Sequence, residues 1–448
     1  MTAATDTIVA VATPPGRGGI GVIRVSGPAS ALIAQSLTGR TPVDRQARFT
    51  AFRDAGGGII DQGLGLYFAG PRSFTGEDVF EIHAHGSPVI LDLLVKRAIE
   101  LGARPAQAGE FSQRAFLNGK IDLAQAEAIA DLINSSTVEA ARSANRTLEG
   151  VLSDRVSVIR DAIVHIRTRY EATIDFTDDL PSAPEPAADP AFDVVIHRIR
   201  EVLEQGVQGR VLSEGVKLVI AGPPNAGKSS LINRLSGYDS AIVSAIAGTT
   251  RDVVRESINL DGIPLHIVDT AGLQDTADPV ELMGIERTHQ EVQTAQILLY
   301  VIDGCVGPTP ADESFLAGLP ETLDRILIMN KADLTTTAPP TMVGGEFPMV
   351  ALSALTGQGL ECLREEIKSR LHIVTTEGLF FANRRHLAAL ETALGHICRG
   401  RDHGVDGTGV ELMAEELRLA QEALAEITGA FTTDDLLGSI FSTFCIGK

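Results

Sequence analysis

VKLVIAGPPNAGKSSLINRLSG, residues 216–237, is the stretch whose reading decides the fold around it. The mostly apolar VKLVIA reads as a strand, GPPNAGKS (222–229) fits G-x-x-x-x-G-K-S, and SLINRLSG carries helical spacing. In that context Gly222 and Gly227 let backbone N–H groups wrap phosphates, Lys228 neutralises their charge, and the Ser229 hydroxyl can ligate Mg2+. Outward from there, the β-like runs LHIVD, ILLYVID and RILIMN alternate with helical stretches from Gly215 to about Leu371. That alternation predicts a doubly wound, mainly parallel sheet.

Three further elements fall in order within the same unit. DTAG (269–272) ends the strand LHIVD, placing Asp269 to hold a metal-bound water and the Gly272 amide to meet a γ-phosphate. NKAD (330–333) ends RILIMN. There the Asp333 carboxylate can accept both the ring N–H and the exocyclic amine of guanine, a pattern adenine cannot match, and such a mismatch discriminates by about 10⁴. SAL (353–355) can offer a backbone N–H to the guanine carbonyl. GTP is therefore expected over ATP. The expected nucleotide contacts are Gly222, Asn225, Ala226, Gly227, Lys228, Ser229 and Ser230, with Ser244, Ala245, Ile246, Ala247, Gly248, Thr249 and Thr250 from the loop that follows. Asp269, Thr270, Ala271, Gly272, Asn330, Lys331, Asp333, Ser353, Ala354 and Leu355 complete the set.

Two absences bear on hydrolysis. Many GTPases orient the attacking water with Gln directly after the third-motif glycine; here that residue is Leu273, which cannot. Glu281, in ADPVELMGIER, is the carboxylate that could do so instead, although such a residue also suits an ordinary acidic helix face. No arginine finger is marked either. Arg251 could serve; alternatively a bound cation could sit beside the phosphates, held by the Asn225 side chain and carbonyls of loop 244–249, with Thr250 as the second protein ligand to Mg2+.

The chain has 448 residues, enough for about three domains. With 44% hydrophobic and 21% charged residues it reads as globular rather than disordered. Lys and Arg number 38 against 58 Asp and Glu, for a net charge of −20. The imbalance is uneven: residues 1–118 hold 11 basic and 10 acidic residues, leaving 27 and 48 for the rest. Any nucleic-acid contact is thus expected to use a local patch or a partner protein. Cys305, Cys362, Cys398 and Cys445 are far apart with no C-x-x-C pair, which argues against a disulfide framework or zinc ribbon. No basic-then-apolar leader or membrane-length apolar run is present, so a reducing, cytoplasmic location without membrane contact is expected.

Residues 6–118 alternate short β-like runs with glycine-rich turns and apolar helical stretches, an α+β pattern. Leu123 to about Tyr170 reads as long amphipathic helix, and DFTDDLPSAPEPAADP (175–190), with five acids, no bases and four prolines, as an exposed connector. Helix returns in DVVIHRIREVLEQ and across 381–429. The expected architecture is multidomain α+β. It comprises an N-terminal α/β domain (1–118), an all-helical domain in two halves (119–213 and 373–448), and an inserted Ras-like P-loop α/β domain (214–372) with a mainly parallel sheet.

The runs TPPGRGGIGVIRVSGP, SFTGEDVFEIHAHGSP and GEFSQRAFLNGKIDLAQAEAIADLI, the block from GPPNAGKS to GTTRD, DTAGL with VELMGIER, and the C-terminal CIGK together resemble the MnmE (TrmE) family of tRNA modification GTPases, over essentially the whole chain. The resemblance implies a homodimer joined through the N-terminal domains, working with an FAD-dependent partner, MnmG. Together they install an aminomethyl or carboxymethylaminomethyl group at C5 of the wobble uridine (position 34) of certain tRNAs. It implies a GTPase activated by K+ through pairing of the nucleotide domains. K+ then falls on Asn225, Ser244, Ile246 and Thr249, Mg2+ on Ser229 and Thr250, and water orientation on Glu281. For the N-terminal domain it implies 5,10-methylenetetrahydrofolate or a related reduced folate, contacted by Arg24, Glu81, Lys120 and Lys448. A carboxylate such as Glu81 suits the amino-pyrimidine edge of a pterin, and cations suit folate carboxylates. Cys445 is implied as a catalytic thiol in the docked tail. Gln274 departs from the family, where arginine is usual after DTAGL.

Two other signals are discounted. Gly16, Gly18 and Gly21 satisfy G-x-G-x-x-G, but VIRVSG after them reads as strand, not the helix a dinucleotide fold needs. His83 and His85 share a strand face, but no carboxylate or cysteine partner is evident in the sequence. The competing function is a ribosome-assembly or signalling switch GTPase without modification chemistry, for which a basic RNA-binding module outside 215–371 would be expected; none is visible. If Glu281 orients water, Glu281→Ala will leave GTP affinity nearly intact and sharply lower turnover, because the lost interaction acts mainly in the transition state. Equilibrium nucleotide binding alongside single-turnover hydrolysis checks this, and a large affinity loss at unchanged turnover would reassign the residue.

Overall fold

The structure is a computed structural model. It describes residues 6–175, 188–238, 256–269, 295–320, 323–335, 348–371, 378–403, 409–430, 434–442, 444 and 447. Two compact units divide the chain, one of Met1–Ala130, Leu148–Ile196 and Ala389–Lys448, the other of Asp131–Thr147 and His197–Ala388.

The first unit opens with a six-stranded sheet: β1 (Thr7–Val11), β2 (Gly18–Ser26), β3 (Arg48–Arg53), β4 (Ile59–Phe68), β5 (Val79–Gly86) and β6 (Ala103–Pro105), in the order β3-β4-β5-β2-β1-β6. All pairs are antiparallel except β1 with β6. That β2 starts at Gly18 agrees with discounting the dinucleotide motif. Alternation along the strands turns Val9, Ile23, Val25, Phe80 and Ile82 toward helices α1 (Ser30–Thr38) and α2 (Pro88–Glu100), which add Ile33, Leu37, Leu91 and Leu94. On another cluster, Ile8 and Ala10 pack with Phe111 of α3 (Glu110–Leu117).

Residues 123–170, expected as long amphipathic helix, form three helices: α4 (Leu123–Asn134), α5 (Val138–Leu148) and α6 (Val151–Asp175). The breaks have local causes. Thr137 Oγ1 accepts from the Ala140 amide at 3.1 Å, a side-chain cap that starts a new helix, and Gly150 adopts φ +96°, which interrupts the α-helical backbone. Helix α7 (Pro190–Glu214) follows the acidic connector, whose residues 176–187 lie outside the described ones. The connector's end departs from expectation: Asp189 is buried, accepts from Tyr170 Oη at 3.2 Å, pairs with Arg169, and accepts from the Ala191 amide at 3.0 Å. A carboxylate that caps a helix and meets a phenol and a guanidinium can leave water.

The second unit holds another six-stranded sheet, built from β7 (Val216–Ala221), β8 (Glu256–Leu260), β9 (Ile263–Asp269), β10 (Ile297–Asp303), β11 (Asp324–Asn330) and β12 (Met349–Ala351). The order is β12-β11-β10-β7-β9-β8, parallel except for β8 against β9. β7 and β10 are buried almost throughout because both faces are covered. Leu218, Ile220, Leu299 and Val301 meet α8 (Lys228–Tyr238) and α10 (Leu360–Arg370), while Val219, Leu298, Tyr300 and Ile302 meet the side of α9 (Pro310–Ala317). The remaining helices are α11 (Arg384–His403), α12 (Val410–Thr428), packed along α6, and α13 (Asp434–Ser442), whose Leu437 and Phe441 meet Leu123 of α4.

An ion network centred on buried Arg114 ties the residue before β1 to β6 and α3 in the first unit. Arg114 is 3% exposed and donates to Asp6 Oδ1 at 2.8 Å, Glu77 Oε2 at 3.1 Å and Glu110 Oε1 at 3.2 Å, while Arg104 Nη1 donates to Glu110 Oε2 at 2.9 Å. Burial pushes the Glu110 carboxyl up, but hydrogen bonds from Arg104, the Gln107 amide and Arg114 hold it below its ordinary value. Its stabilisation is therefore complete above the ordinary carboxylate pKa and is lost as pH falls through the lowered native one. Arg114→Met is expected to destabilise this unit by about 3–5 kcal/mol at neutral pH, since it strands buried carboxylates. It should also flatten the acid limb of the stability profile, measured by denaturant titration at pH 3 to 7.

Candidate functional site

In a sheet of this order, chain progression reverses at β7, whose neighbours β9 and β10 lead away in opposite directions. Such a switch point leaves a crevice at the carboxyl ends of the strands, and the 222–227 loop stands there. Three of its residues have left-handed or otherwise positive φ: Gly222 (+140°), Asn225 (+61°) and Gly227 (+96°). A Cβ on Gly222 would lie 2.0 Å from the Val301 carbonyl oxygen, and one on Gly227 would lie 2.1 Å from Asn330 Nδ2. Both glycines are thus demanded by close approach as well as by conformation. Lys228 Nζ donates to the Gly222 and Pro223 carbonyls at 2.7 and 2.8 Å, so its charge lies across the loop. Ser229 and Ser230 are exposed on the first turn of α8, so the Ser229 hydroxyl is accessible to a metal ion, and Ala226 is buried beneath the loop. Asn225 is exposed at the tip. The Asp269 backbone ends β9 opposite Ile220, beside the start of the loop.

The 330–333 and 353–355 segments converge on the same crevice. Asn330 is buried; its Nδ2 donates to the Ala226 carbonyl at 2.8 Å and its Oδ1 accepts from the Ala354 amide at 2.9 Å. Lys331 has φ +65°, and the following 3₁₀ turn (Ala332–Leu334) carries Asp333, exposed. Ser353 is fully buried and accepts from the Thr356 amide at 3.1 Å through Oγ and from the Gly357 amide at 2.8 Å through its carbonyl, which shapes the turn bearing exposed Leu355. The structure therefore brings together the 222–230, 330–333 and 353–355 residues expected from sequence. Thr270, Ala271, Gly272, Ser244 through Thr250, Glu281, Cys445 and Lys448 lie outside the described residues.

Sequence reasoning missed Arg234. Its guanidinium, on α8, donates from Nε to the Ala354 carbonyl at 3.0 Å and also to that of Leu355, tying the third element to the helix that begins at Lys228. No one-dimensional signal marks it, because it sits 120 residues from its acceptor.

A second cleft lies in the first unit. Arg24 and Glu81 are directly opposed across β2 and β5, with Arg24 Nε 2.9 Å from Glu81 Oε1. Together with Lys120, whose Nζ donates to the Pro71 carbonyl at 3.0 Å, they line a cavity of about 550 Å³. Arg45, Arg72, Phe68 and Phe74 also line it, beside Ser73 and Val79, with the Arg24 guanidinium 5.3 Å from the Phe74 ring centroid. One carboxylate, four cations and two aromatic rings fit a flat, amino-bearing heterocycle with an anionic tail. The aromatic and additional arginine residues were not anticipated. The histidines, by contrast, are corrected: His83 Nε2 is 3.4 Å from Glu81 Oε2, and His85 Nδ1 is 2.9 Å from Asp61 Oδ1, so each has the carboxylate partner that sequence reasoning missed. Asp61, on β4, lies across the sheet from His85 and is invisible to spacing along one strand, whereas Glu81 stands two residues before His83 on β5 itself and could have been read from the sequence. Among the described residues no group of His, Cys, Asp and Glu could hold a metal ion, and no helix is long and apolar enough to cross a membrane.

A sequence profile for the MnmE helical domain matches residues 123–445, and one for the GTP-binding protein TrmE N-terminus matches residues 7–120. This chain belongs to the MnmE family. Among its relatives, the tRNA modification GTPase MnmE of Proteus mirabilis (strain HI4320) is 51% identical and that of Pectobacterium carotovorum subsp. carotovorum (strain PC1) 52% identical. Each alignment spans 451 residues and 99% of both chains. Among solved structures, an Aquifex aeolicus Era variant bound to GDP·AlF4⁻ aligns at 26% identity over 40% of this chain and 66% of that one, with a TM-score of 0.29. The multidomain α+β architecture of the MnmE family accords with the two mixed α/β units described above.

Gly227→Ala in this MnmE-family chain would put a methyl group against the Asn330 amide and into a strained backbone. It should weaken GTP binding at least about tenfold, because phosphate loop and base site are disturbed together. The unfolding transition of the first unit should not move; calorimetric titration with differential scanning calorimetry measures both.

Proposed function

We propose that this MnmE-family chain is a GTP hydrolase acting in tRNA modification. The observation that carries the GTP reading is the Asn330 side chain, which joins the phosphate loop at Ala226 to the base-reading segment at Ala354. With Mg2+ bound through the Ser229 and Thr250 hydroxyls and GTP in place, Lys228 would leave the loop carbonyls for the β and γ oxygens, and Asp333 would read the guanine edge. Glu281 is the proposed water-orienting group. K+ held at Asn225 and by residues Ser244, Ile246 and Thr249 would supply the charge an arginine finger supplies elsewhere, upon pairing of the nucleotide domains of two copies.

The finer reading is that the chain acts as a homodimer with an FAD-dependent MnmG-type partner, forming the aminomethyl or carboxymethylaminomethyl group at C5 of the wobble uridine, with a reduced folate as one-carbon source. The Arg24, Glu81 and Lys120 cleft supports the folate: Glu81 accepts from the amino-pyrimidine edge, and the arginines and Lys120 hold the carboxylates, with Lys448 and Cys445 expected nearby. The homodimer draws support from the same sheet face, where Phe49 (68% exposed), Leu64 (42%) and Ile20 (67%) are left in water. Phe49 and Leu64 are cross-strand partners, and Leu64 neighbours His83 on β5, two residues from Glu81. A second copy covering that face would also roof the cleft.

Turnover in KCl and NaCl at matched ionic strength, together with mass spectrometry of wobble uridines from cells lacking the chain, tests this. Hydrolysis is expected to be far faster in K+, and the C5 modification to disappear. Equal rates would remove the cation proposal, and intact modification would leave a GTPase without the proposed chemistry.

A further inference from the structure

We propose that Asp303 is a positioning residue for guanine binding, anchoring the Lys331 ammonium so that the lysine stem is held in place before nucleotide arrives. The inference rests on the GTP reading and extends it to a residue outside the recognition motifs. Asp303 is the last residue of β10 and sits opposite Asn330 in the ladder. Its Oδ2 lies 2.6 Å from Lys331 Nζ, and its Oδ1 accepts from the Cys305 amide at 2.9 Å, so the carboxylate cannot turn without breaking one bond. The next residue completes the grip. The Gly304 amide donates to the Asn330 carbonyl at 2.7 Å, and a Cβ there would lie 2.6 Å from the same oxygen.

Lys331 has reason to need an anchor. It holds a left-handed backbone at φ +65°, uncommon for a residue with a side chain, and its long stem has much rotamer freedom to lose. Both partners are only partly exposed, at 32% for Lys331 and 27% for Asp303, and a pair so placed contributes little to global stability. Its consequence is local order. Binding then no longer bears the entropy of arranging that side chain, which is how preorganisation raises affinity. The Lys331 hydrogen bond, then the Cys305 amide, hold the Asp303 carboxyl below its ordinary range, so the anchor is ionised at neutral pH.

The test is a double-mutant cycle on the full chain, with dissociation constants for GDP and GTP measured by titration calorimetry. Asp303→Ala is expected to weaken GDP and GTP equally, by about tenfold, as removal of a charged hydrogen-bond partner does. At saturating GTP, kcat should stay within about twofold, the mark of lost uniform binding. Asp303→Asn, whose single amide oxygen can still accept from Lys331 but then loses the Cys305 amide, should recover part of the affinity, and in a Lys331→Ala background Asp303→Ala should cost nothing further. Unchanged affinity in Asp303→Ala would overturn the proposal. So would an undiminished loss in the Lys331→Ala background, or a fall in kcat with no change in affinity. A wild-type chain that binds neither nucleotide would overturn the GTP reading itself.

Discussion

One side chain, that of Asn330, makes the nucleotide crevice a single object. Its amide nitrogen holds the carbonyl of Ala226 and its amide oxygen holds the N–H of Ala354, so the 222–230 loop and the 353–355 turn share a buried bracket. The bracket is satisfied on both sides, which a buried carboxamide requires. Because Gly227 lies against the same nitrogen, the glycine of the phosphate motif and the asparagine of the base motif constrain one another. Arg234 and Asp303 tighten the arrangement from outside the motifs, one through the 354 and 355 carbonyls, the other through Lys331.

The first unit solves a different problem with the same economy. Its sheet is covered by α1 and α2 on one face, and the opposite face carries the Arg24–Glu81 pair in a cleft rich in arginine and aromatic rings. Beside that cleft the sheet leaves Phe49, Leu64 and Ile20 in water. In the same unit buried Arg114 gathers Asp6, Glu77 and Glu110, and Glu77 also accepts from Ser26 at 2.7 Å, so the strand bearing Arg24 is fixed at its far end. An acidic chain thus keeps a local concentration of positive charge where an anionic ligand could use it.

Four strands of the second sheet, β7, β9, β10 and β11, were legible because each is short and apolar, and three carry a recognisable punctuation, GPPNAGKS after β7, DTAG at the end of β9 and NKAD at the end of β11, whereas β8 and β12 were not read. The helical stretches were legible as helix but not as pieces. Thr137 and Gly150 break the run from Leu123, and neither residue type overrides helical periodicity when read alone. Asp189 shows the reverse error, an acid in a proline-rich acidic segment that nevertheless becomes buried because Tyr170 and Arg169 are there to receive it. His85 lacked a visible partner because Asp61 lies across the sheet on another strand, while Glu81, two residues before His83 on the same strand, was in view and overlooked.

By itself the sequence determined the conformational demands that are local: which glycines must bend backward and which strand precedes which helix. Only the tertiary structure decided who meets whom. Arg24 faces Glu81 across 57 residues, Asn330 reaches Ala226 across 104, and Arg234 reaches Ala354 across 120. Such pairs depend on strand order and register, which follow from burying the two faces of each sheet at once. Periodicity along one segment reports that a face is apolar, but it carries no information about the partner that covers it.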